Sequence, residues 1–441
     1  MIFCRNTVIR IEEQINWLKR DASYVFWMFA EVGAALAIPR LVLFPLAAYF
    51  IGKEQFGVFM TAMSLALILG TQPGNGLAIG LLKHLSDYPQ QQTAQFCGTA
   101  LRLCHWAMSA TVFLGLFIVI AAGIFKLAPS EILLCLAPLI ISLYPENQFM
   151  LILTESRVHR RFRGRAIWSL LRGVGVLICG FVGALADGAI GLAWGFLVGN
   201  VIAYAILQFH YRDWSKSSYN SEMARILKTI WFQMTVAGVM TMSGPYLIRV
   251  ILSAIHSYND TADLVAATSV MFLFSVPITC LGGLLLSMIS KYNSIEQFSF
   301  RGKFLFLLVT LFSITVMPVA FKLFGPFTVR IMFPKFGEDS VGLFGILFWA
   351  IPAQILISFS QPIVIKFASV RVVPVINLVS MVATLLPAIF LIPAYATRGA
   401  SWAIVAGQII TGLLWTSVAV LVFVLKGNSG ARGTVAVEEI L

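Results

Sequence analysis

Apolar runs long enough to cross a lipid bilayer recur from one end of this 441-residue chain to the other. The hydrocarbon core of a bilayer requires about 20 predominantly apolar residues of helix. The chain is 59% hydrophobic and only 11% charged, whereas a soluble domain carries more charge on its surface. The sequence therefore predicts an all-α polytopic membrane protein. Its twelve predicted transmembrane helices cover residues 24–51, 57–85, 95–125, 131–156, 163–186, 188–209, 227–254, 264–290, 303–325, 341–366, 372–394 and 399–425.

The net charge of +12 is distributed along the chain as the positive-inside rule expects, which argues against nucleic-acid binding. The densest basic cluster, Arg157–Arg165, falls between the fourth and fifth predicted helices. If the N-terminus is cytoplasmic, only six lysines and arginines lie in outer segments: Lys53, Lys126, Lys322, Arg330, Lys335 and Arg398. Both termini are therefore predicted to be cytoplasmic.

The segment GLAWGFLVGN, Gly191–Asn200, has a counterpart 208 residues later in GASWAIVAGQ, Gly399–Gln408. Glycine matches glycine at both ends, and Trp194 matches Trp402. Further matches at this or the next offset occur in the first, second and fourth spans of each half, which indicates an internal duplication. Glycines four residues apart line one face of a membrane helix and let a neighbouring helix approach closely. We therefore predict that this segment packs and does not touch substrate.

Each predicted repeat contains six helices, so both halves enter the membrane from the same side and form a parallel repeat. The predicted architecture is two pseudo-symmetric six-helix bundles, residues 1–209 and residues 227–441. The first includes a cytoplasmic interfacial segment at Ile9–Arg20. A cytoplasmic linker, residues 210–226, joins the bundles.

Arg40 in the first span and Arg249 in the seventh lie 209 residues apart. Charged groups at membrane depth are costly and mark functional positions. A guanidinium binds phosphate oxygens through two parallel hydrogen bonds and stays charged at any physiological pH. The pair therefore predicts a site for an anionic group such as phosphate or pyrophosphate. The alternative is an ion pair inside each bundle, for example Arg40 with Glu31 across a kink at Pro39.

Proline and glycine interrupt the second span at Gly70–Gly76 and its counterpart in the eighth span at Val276–Gly283. Paired interruptions indicate a transporter's binding site, because freed backbone groups are tolerated where they line a cavity. On an ideal helix one face would carry a polar stripe: Thr61, Gln72, Gly76 and Lys83, with Asn75 beside it. Gln72, Asn75 and Lys83 are therefore predicted substrate-binding residues. Kinking for packing is the alternative explanation of the prolines.

Four further ionisable residues lie in predicted spans: Glu31, Glu146, Arg102 and Arg172. Carboxylates inside carriers often bind a coupling proton or sodium ion, so Glu31 and Glu146 are ion-coupling candidates. Structural salt bridges in the N-terminal half are an equally weighted alternative for the two glutamates. For the two arginines we favour structural roles, including snorkelling to the cytoplasmic interface.

The chain has no Walker motif, dinucleotide-binding glycine pattern, metal-ligand cluster or nucleophile elbow. Its six cysteines lack the spacing of a disulfide framework or a zinc site. We therefore expect no enzyme activity, no metal and no cofactor other than a coupling proton or sodium ion. Any uphill transport would draw on an ion gradient or the membrane potential.

The segment Tyr49–Leu85 resembles the start of polysaccharide-export flippases of the O-antigen transporter type. These proteins typically end a span with G-x-x-x-[FY]-G, which reads GKEQFG at Gly52–Gly57. A polar-interrupted second span follows, and the six-plus-six layout is similar too. The resemblance implies membership of the multidrug/oligosaccharidyl-lipid/polysaccharide (MOP) exporter superfamily.

This resemblance implies a flippase that moves undecaprenyl-pyrophosphate-linked oligosaccharide from the cytoplasmic to the periplasmic leaflet by alternating access. The product would serve surface polysaccharide synthesis, such as the O-antigen of lipopolysaccharide. A bacterial cytoplasmic (inner) membrane location and a cationic cavity lined by spans one, two, seven and eight are also implied. Expected partners are membrane lipids, polysaccharide polymerase and chain-length machinery, and no nucleic acid.

Two other functions compete with this interpretation. An ion-coupled multidrug antiporter of the MATE type belongs to the same superfamily, but its cationic substrates favour acidic residues over Arg40 and Arg249 in the cavity. A membrane polysaccharide polymerase or ligase would present catalytic residues on a substantial outer loop, and the predicted outer loops are short.

Overall fold

The computed structural model describes residue 23 and residues 26–31, 33–70, 72–85, 90–158, 161–211, 217–289, 300–368 and 372–427. This part of the chain is helical and has no strand. The helices, in chain order, are α1 (Gly33–Leu43, a π-helix), α2 (Phe44–Ile51), α3 (Lys53–Gly70), α4 (Gln72–His84), α5 (Gln90–Ile124), α6 (Ser130–Val158), α7 (Phe162–His210), α8 (Ser221–Ile255), α9 (Tyr258–Ile289), α10 (Phe300–Met332), α11 (Gly337–Gly342), α12 (Phe344–Leu347), α13 (Ala350–Phe367) and α14 (Val372–Gly427). The predicted interfacial segment at Ile9–Arg20 lies outside the described residues.

Eight of the described helices are long and apolar enough to cross a membrane, or nine if the bent pair α3 and α4 forms one span. The chain is thus a multi-pass membrane protein, as its composition predicts. The total of twelve transmembrane helices, the cytoplasmic termini and the bundle boundaries remain predictions.

The two longest helices each contain a sharp break, and the breaks lie at equivalent positions. In α7 the backbone leaves helical geometry at Asp187 and at Gly188, where φ is 54° and ψ is −129°. In α14 it does so at Ala396, where φ is 47° and ψ is −124°. Gly188 and Ala396 are 208 residues apart, the same offset that relates the two glycine-rich segments.

Glycines bring the two arms of α7 into close antiparallel contact. A Cβ on Gly191 would overlap the carbonyl of Gly183 across the break. Farther along, a Cβ on Gly199 would lie 2.6 Å from the Cα of Val176. Because later residues of one arm meet earlier residues of the other, α7 is a helical hairpin. The predicted packing role of this segment is confirmed, with Trp194 exposed on the outer face of the hairpin.

The same contacts recur in α14. A Cβ on Gly399 would overlap the carbonyl of Leu391, and a Cβ on Gly407 would overlap the side chain of Thr384. Both pairs lie 208 residues after their counterparts in α7. Trp402, like its counterpart, is exposed. The internal duplication read from the sequence therefore has a structural basis in two equivalent hairpins.

The two predicted helix interruptions have different outcomes. The second span is broken, and its segments Lys53–Gly70 and Pro73–His84 meet at an angle of 47°. The prediction for the eighth span is wrong, because α9 runs without a break through Pro277 and Gly282. A Cβ on Gly282 would lie 2.5 Å from the carbonyl oxygen of Ser358 in α13, so this glycine serves close helix packing.

The halves meet through helices of the first, second, seventh and eighth predicted spans. A Cβ on Gly76 of α4 would lie 2.8 Å from the Thr235 hydroxyl oxygen in α8, and one on Gly80 would lie 3.1 Å from Leu227. In α3, a Cβ on Gly57 would overlap the carbonyl of Tyr258 in α9. Side chains of α1 also reach α9, which brings the two predicted arginines into the same neighbourhood.

Candidate substrate-binding site

Arg40 and Arg249 meet on one face of α9. The guanidinium carbon of Arg40 lies 3.8 Å from the centroid of the Phe272 ring. The Arg249 Nη2 donates to the Thr268 hydroxyl oxygen at 3.3 Å. Thr268 and Phe272 are four residues apart, so they occupy successive turns of the same helical face. The two guanidinium groups therefore lie near each other on α9, and their like charges repel.

Neither arginine has a carboxylate within 4.0 Å among the described residues. The Nε of Arg249 is buried and has no hydrogen-bond acceptor. The Tyr246 ring centroid lies 5.1 Å from its guanidinium carbon. Two like charges therefore share a junction between the halves with unused donor capacity, an arrangement that suits a ligand supplying negative oxygens.

The alternative ion pair between Arg40 and Glu31 does not form. Glu31 pairs instead with the Nε of Arg165 in α7, 134 residues away. Arg165 also donates from Nη1 to the carbonyl oxygen of Leu153 at 3.2 Å. Glu31 is thus engaged inside the N-terminal half, which leaves Arg40 to the junction.

The predicted polar stripe on the second span does not form one continuous face. Thr61 is buried and donates to the carbonyl oxygen of Gly57 at 2.9 Å. Gly76 is buried against α8, whereas its neighbour Asn75 is exposed. The second span is also bent by 47° between α3 and α4, so it is not the single straight helix that the predicted stripe assumed. The backbone of Gln72 begins α4, and its side chain lies outside the described residues.

Lys83 lies near the end of α4, close enough to Lys366 of α13 for their charges to repel. Lys83 belongs to the N-terminal half and Lys366 to the C-terminal half, so these lysines form a second pair of like cations between the halves. Lys366 is not among the residues predicted from the sequence, although it lies in the last turn of α13.

Asn147 and Trp231 satisfy the backbone groups freed by the break in the second span. Asn147 of α6 accepts from the Gly74 N–H at 3.1 Å and donates to the Gly70 carbonyl at 3.0 Å. The Trp231 indole donates to the Pro73 carbonyl at 3.1 Å. The break is therefore held by protein groups and does not leave these backbone atoms to line a cavity.

Glu146, the second ion-coupling candidate, is part of a polar cluster in the N-terminal half. Arg172 of α7 donates from Nη2 to the Glu146 carboxylate at 2.5 Å and from Nε to the Asn200 amide oxygen at 2.8 Å. The Phe149 ring centroid lies 5.6 Å from the same guanidinium carbon. Arg102 donates to the backbone carbonyl of Ser217 at 2.7 Å. The structural alternative for both arginines matches these contacts.

An ion pair between Lys53 and Asp263, supported by a hydrogen bond from Ser340, joins the halves and was not predicted from the sequence. The Lys53 ammonium lies 2.7 Å from one Asp263 carboxylate oxygen. The Ser340 hydroxyl donates to the other at 3.0 Å. Lys53 is the first residue of α3 and Asp263 lies near the start of α9, both on the predicted outer side. This cluster joins the halves at the end of the molecule opposite to Lys83 and Lys366.

Comparison with known proteins gives a match in structure only. No protein-family model matches the chain, and no curated protein matches it in sequence. A variant of the Vibrio cholerae MATE transporter VcmN superposes with a TM-score of 0.70 at 13% identity, covering 94% of this chain and 97% of that one. The chain has the fold of the MATE transporters of the MOP superfamily.

Two further structures agree with this assignment of the MATE fold. A MOP superfamily transporter from Pyrococcus furiosus, described as having a binding pocket of reversed polarity, gives a TM-score of 0.70 at 13% identity and covers 91% of this chain and 96% of its own. An outward-facing multidrug resistance MATE transporter gives 0.69 at 13% identity with the same coverage. At 13% identity these likenesses show a shared fold.

Proposed function

We propose that this chain is an alternating-access membrane transporter whose junction site binds the anionic group of an amphipathic substrate. The observation that carries the proposal is the meeting of Arg40 and Arg249 on α9 with no carboxylate within 4.0 Å among the described residues. A cationic substrate would meet repulsion from both guanidinium groups. An anion would reduce the repulsion between the two arginines and accept their free N–H donors.

The finer proposal is undecaprenyl-pyrophosphate-linked oligosaccharide, moved from the cytoplasmic to the periplasmic leaflet of a bacterial inner membrane. The pyrophosphate would bind Arg40 and Arg249, and the lipid tail would remain in the bilayer. Asn75, Gln72 and Lys83 would contact the remaining headgroup. This proposal rests on the resemblance at Tyr49–Leu85 together with the charge of the junction.

Rocking of the halves would alternate access to the junction. Opening toward the outer side would separate Lys53 from Asp263, which now joins the halves there. Coupling to a proton or sodium gradient through Glu31 or Glu146 would require each carboxylate to release its arginine partner.

The second candidate function is an ion-coupled multidrug antiporter of the MATE type. The fold comparisons favour it, because most of the named neighbours are MATE transporters and one is described as a multidrug resistance protein. The junction charge favours the first candidate. Substrate charge therefore separates the two proposals.

Transport by the purified protein in vesicles tests the choice between these functions. We expect wild-type protein to move a fluorescent polyprenyl-pyrophosphate glycolipid between leaflets, and Arg40→Gln and Arg249→Gln each to slow this at least tenfold. Arg398→Gln, a change at an exposed arginine, is the matched control and should retain wild-type transport. Undiminished transport by both junction variants, or transport of a lipophilic cation alone, would contradict the proposal.

A further inference from the structure

The C-terminal half encloses a polar cavity of about 150 Å³ between α8, α13 and α14. No charged side chain is present among the described residues that line it. Its polar lining consists mainly of hydroxyl and amide groups: Thr241, Asn377, Ser380, Thr384, Gln408 and Thr411. It lies within one half and is separate from the arginine junction.

A much smaller cavity, of about 20 Å³, occupies the equivalent place in the N-terminal half. The 208-residue offset relates its lining to that of the larger cavity. Arg172 corresponds to Ser380, and Val176 corresponds to Thr384. In all, five lining residues of the small cavity have counterparts that line the large one: Asn377, Ser380, Met381, Thr384 and Ile404.

One side chain, that of Arg172, occupies space in the N-terminal half that its counterpart leaves open. In the N-terminal half the guanidinium of Arg172 lies against the Glu146 carboxylate, the Asn200 amide and the Phe149 ring. Residue 380, the counterpart of Arg172, is a serine whose short side chain leaves this space open.

The surroundings of that guanidinium persist in the C-terminal half. The counterparts of Glu146, Phe149 and Asn200 are Gln354, Ile357 and Gln408. Ile357 and Gln408 line the cavity. Gln354 lies one turn before Ile357 on α13, and its amide oxygen is buried with no hydrogen-bond donor. The space beside Ser380 therefore has polar and apolar neighbours equivalent to those of the Arg172 guanidinium, but it contains neither an arginine nor a carboxylate.

The hydroxyl groups that line the cavity present oxygen lone pairs to it. Thr241, Ser380, Thr384 and Thr411 each donate to the carbonyl oxygen four residues earlier in their own helix, at 2.6 to 2.9 Å. The Asn377 amide nitrogen likewise donates to a backbone carbonyl at 3.0 Å. Because the hydroxyl protons are used, the hydroxyl oxygens facing the cavity are free to accept. The amides of Asn377 and Gln408 add further acceptor oxygens beside their N–H groups. A ligand that pairs with the hydroxyl oxygens must therefore bring hydrogen-bond donors.

We propose that this cavity binds a small planar molecule with several N–H donors, of the guanidinium and urea class. The equivalent space in the other half is filled by such a group, the guanidinium of Arg172. Four hydroxyl oxygens line the space, and a donor-rich ligand would satisfy them. The site goes beyond the proposed transport function and does not involve Arg40 or Arg249.

Binding of radiolabelled guanidinium to the purified full-length protein, with unlabelled urea as competitor, tests the proposal. We expect saturable binding at one site per chain. Ser380→Arg reproduces the N-terminal arrangement and should abolish binding. The double variant Thr384→Val, Thr411→Val keeps side-chain shape, removes two acceptor oxygens and should weaken binding at least tenfold. Thr328→Val removes an exposed hydroxyl with the same type of bond and is the control.

Several outcomes would overturn the proposal: no saturable binding of guanidinium or urea, wild-type binding by the double valine variant, or displacement of guanidinium by equimolar sodium. If Ser380→Arg does not fold, the valine variant still decides. Competition by urea supports recognition through the N–H donors, whereas competition by other guanidinium compounds without competition by urea would overturn it. Arg40→Gln should bind guanidinium normally, so failure of the junction site and failure of this one are distinguishable.

Discussion

Gly188 and Ala396 lie 208 residues apart and adopt nearly the same left-handed backbone conformation, with φ of 54° and 47°. Each joins the two arms of a helical hairpin. The left-handed region is unfavourable for residues with a Cβ and open to glycine. One repeat therefore has the residue that the turn favours, and the other carries strain at Ala396.

This asymmetry predicts opposite effects of two exchanges. Gly188→Ala should destabilise the protein by about 1–2 kcal/mol, because alanine is strained at this φ and its Cβ would meet the Gln55 side chain. Ala396→Gly should be neutral or stabilise by up to about 1 kcal/mol, since relief of strain outweighs the added freedom of the unfolded chain. Thermal unfolding in detergent measures both, with Gly164→Ala as the unstrained helical control. A stable Gly188→Ala protein would contradict the account.

The contact between Lys53 and Asp263 predicts unequal losses of stability. Lys53→Met leaves the buried Asp263 carboxylate without its cation and should lower the free energy of unfolding by about 2–4 kcal/mol. Asp263→Asn leaves a partly exposed ammonium that can reach water, so its effect should be smaller, about 1–2 kcal/mol.

Chemical unfolding of these two variants and of the double variant gives the coupling free energy. The double variant should be more stable than Lys53→Met alone. Lys322→Met, a change at an exposed lysine, is the control. Equal losses of unfolding free energy in the two single variants would contradict the prediction that the buried Asp263 carboxylate depends on its cation.

The ion pair between Glu146 and Arg172 separates a structural role from ion coupling. In a structural role, Glu146→Gln leaves Arg172 partly buried without its anion and should destabilise by about 1–3 kcal/mol, and Glu146→Gln with Arg172→Met should restore part of this. In a coupling role, Glu146→Gln would remove the dependence of transport on a proton or sodium gradient. Unfolding and gradient-driven uptake are measured on the same preparations. Unchanged stability together with lost gradient dependence would contradict the structural role.

Features that depend on local pattern and repetition could be predicted from the sequence. The glycine spacing in Gly191–Asn200 indicated close helix packing, and the structure places those glycines in a hairpin contact. The repeat offset pointed to Arg40 and Arg249 as a pair, and both side chains contact α9. These features could be predicted because each depends on the residues of one segment or on a direct match between two segments.

Features that depend on which distant segments meet could not be predicted. Glu31 pairs with Arg165, 134 residues away, and Lys53 pairs with Asp263 across the halves. The rule that proline and glycine interrupt a helix failed for α9, because the packing of Gly282 against Ser358 has no signature within the span itself. Tertiary contact decides each of these cases.

The charge preference of the junction between Arg40 and Arg249 is the central claim, and equilibrium binding of farnesyl pyrophosphate against tetraphenylphosphonium tests it most directly. With purified wild-type protein we expect the pyrophosphate to bind and the cation not to compete. Arg40→Gln and Arg249→Gln should each weaken pyrophosphate binding at least tenfold, or about 1.4 kcal/mol, while Arg398→Gln should not. Tight binding of tetraphenylphosphonium that persists or strengthens in both junction variants would contradict the account and favour the multidrug antiporter.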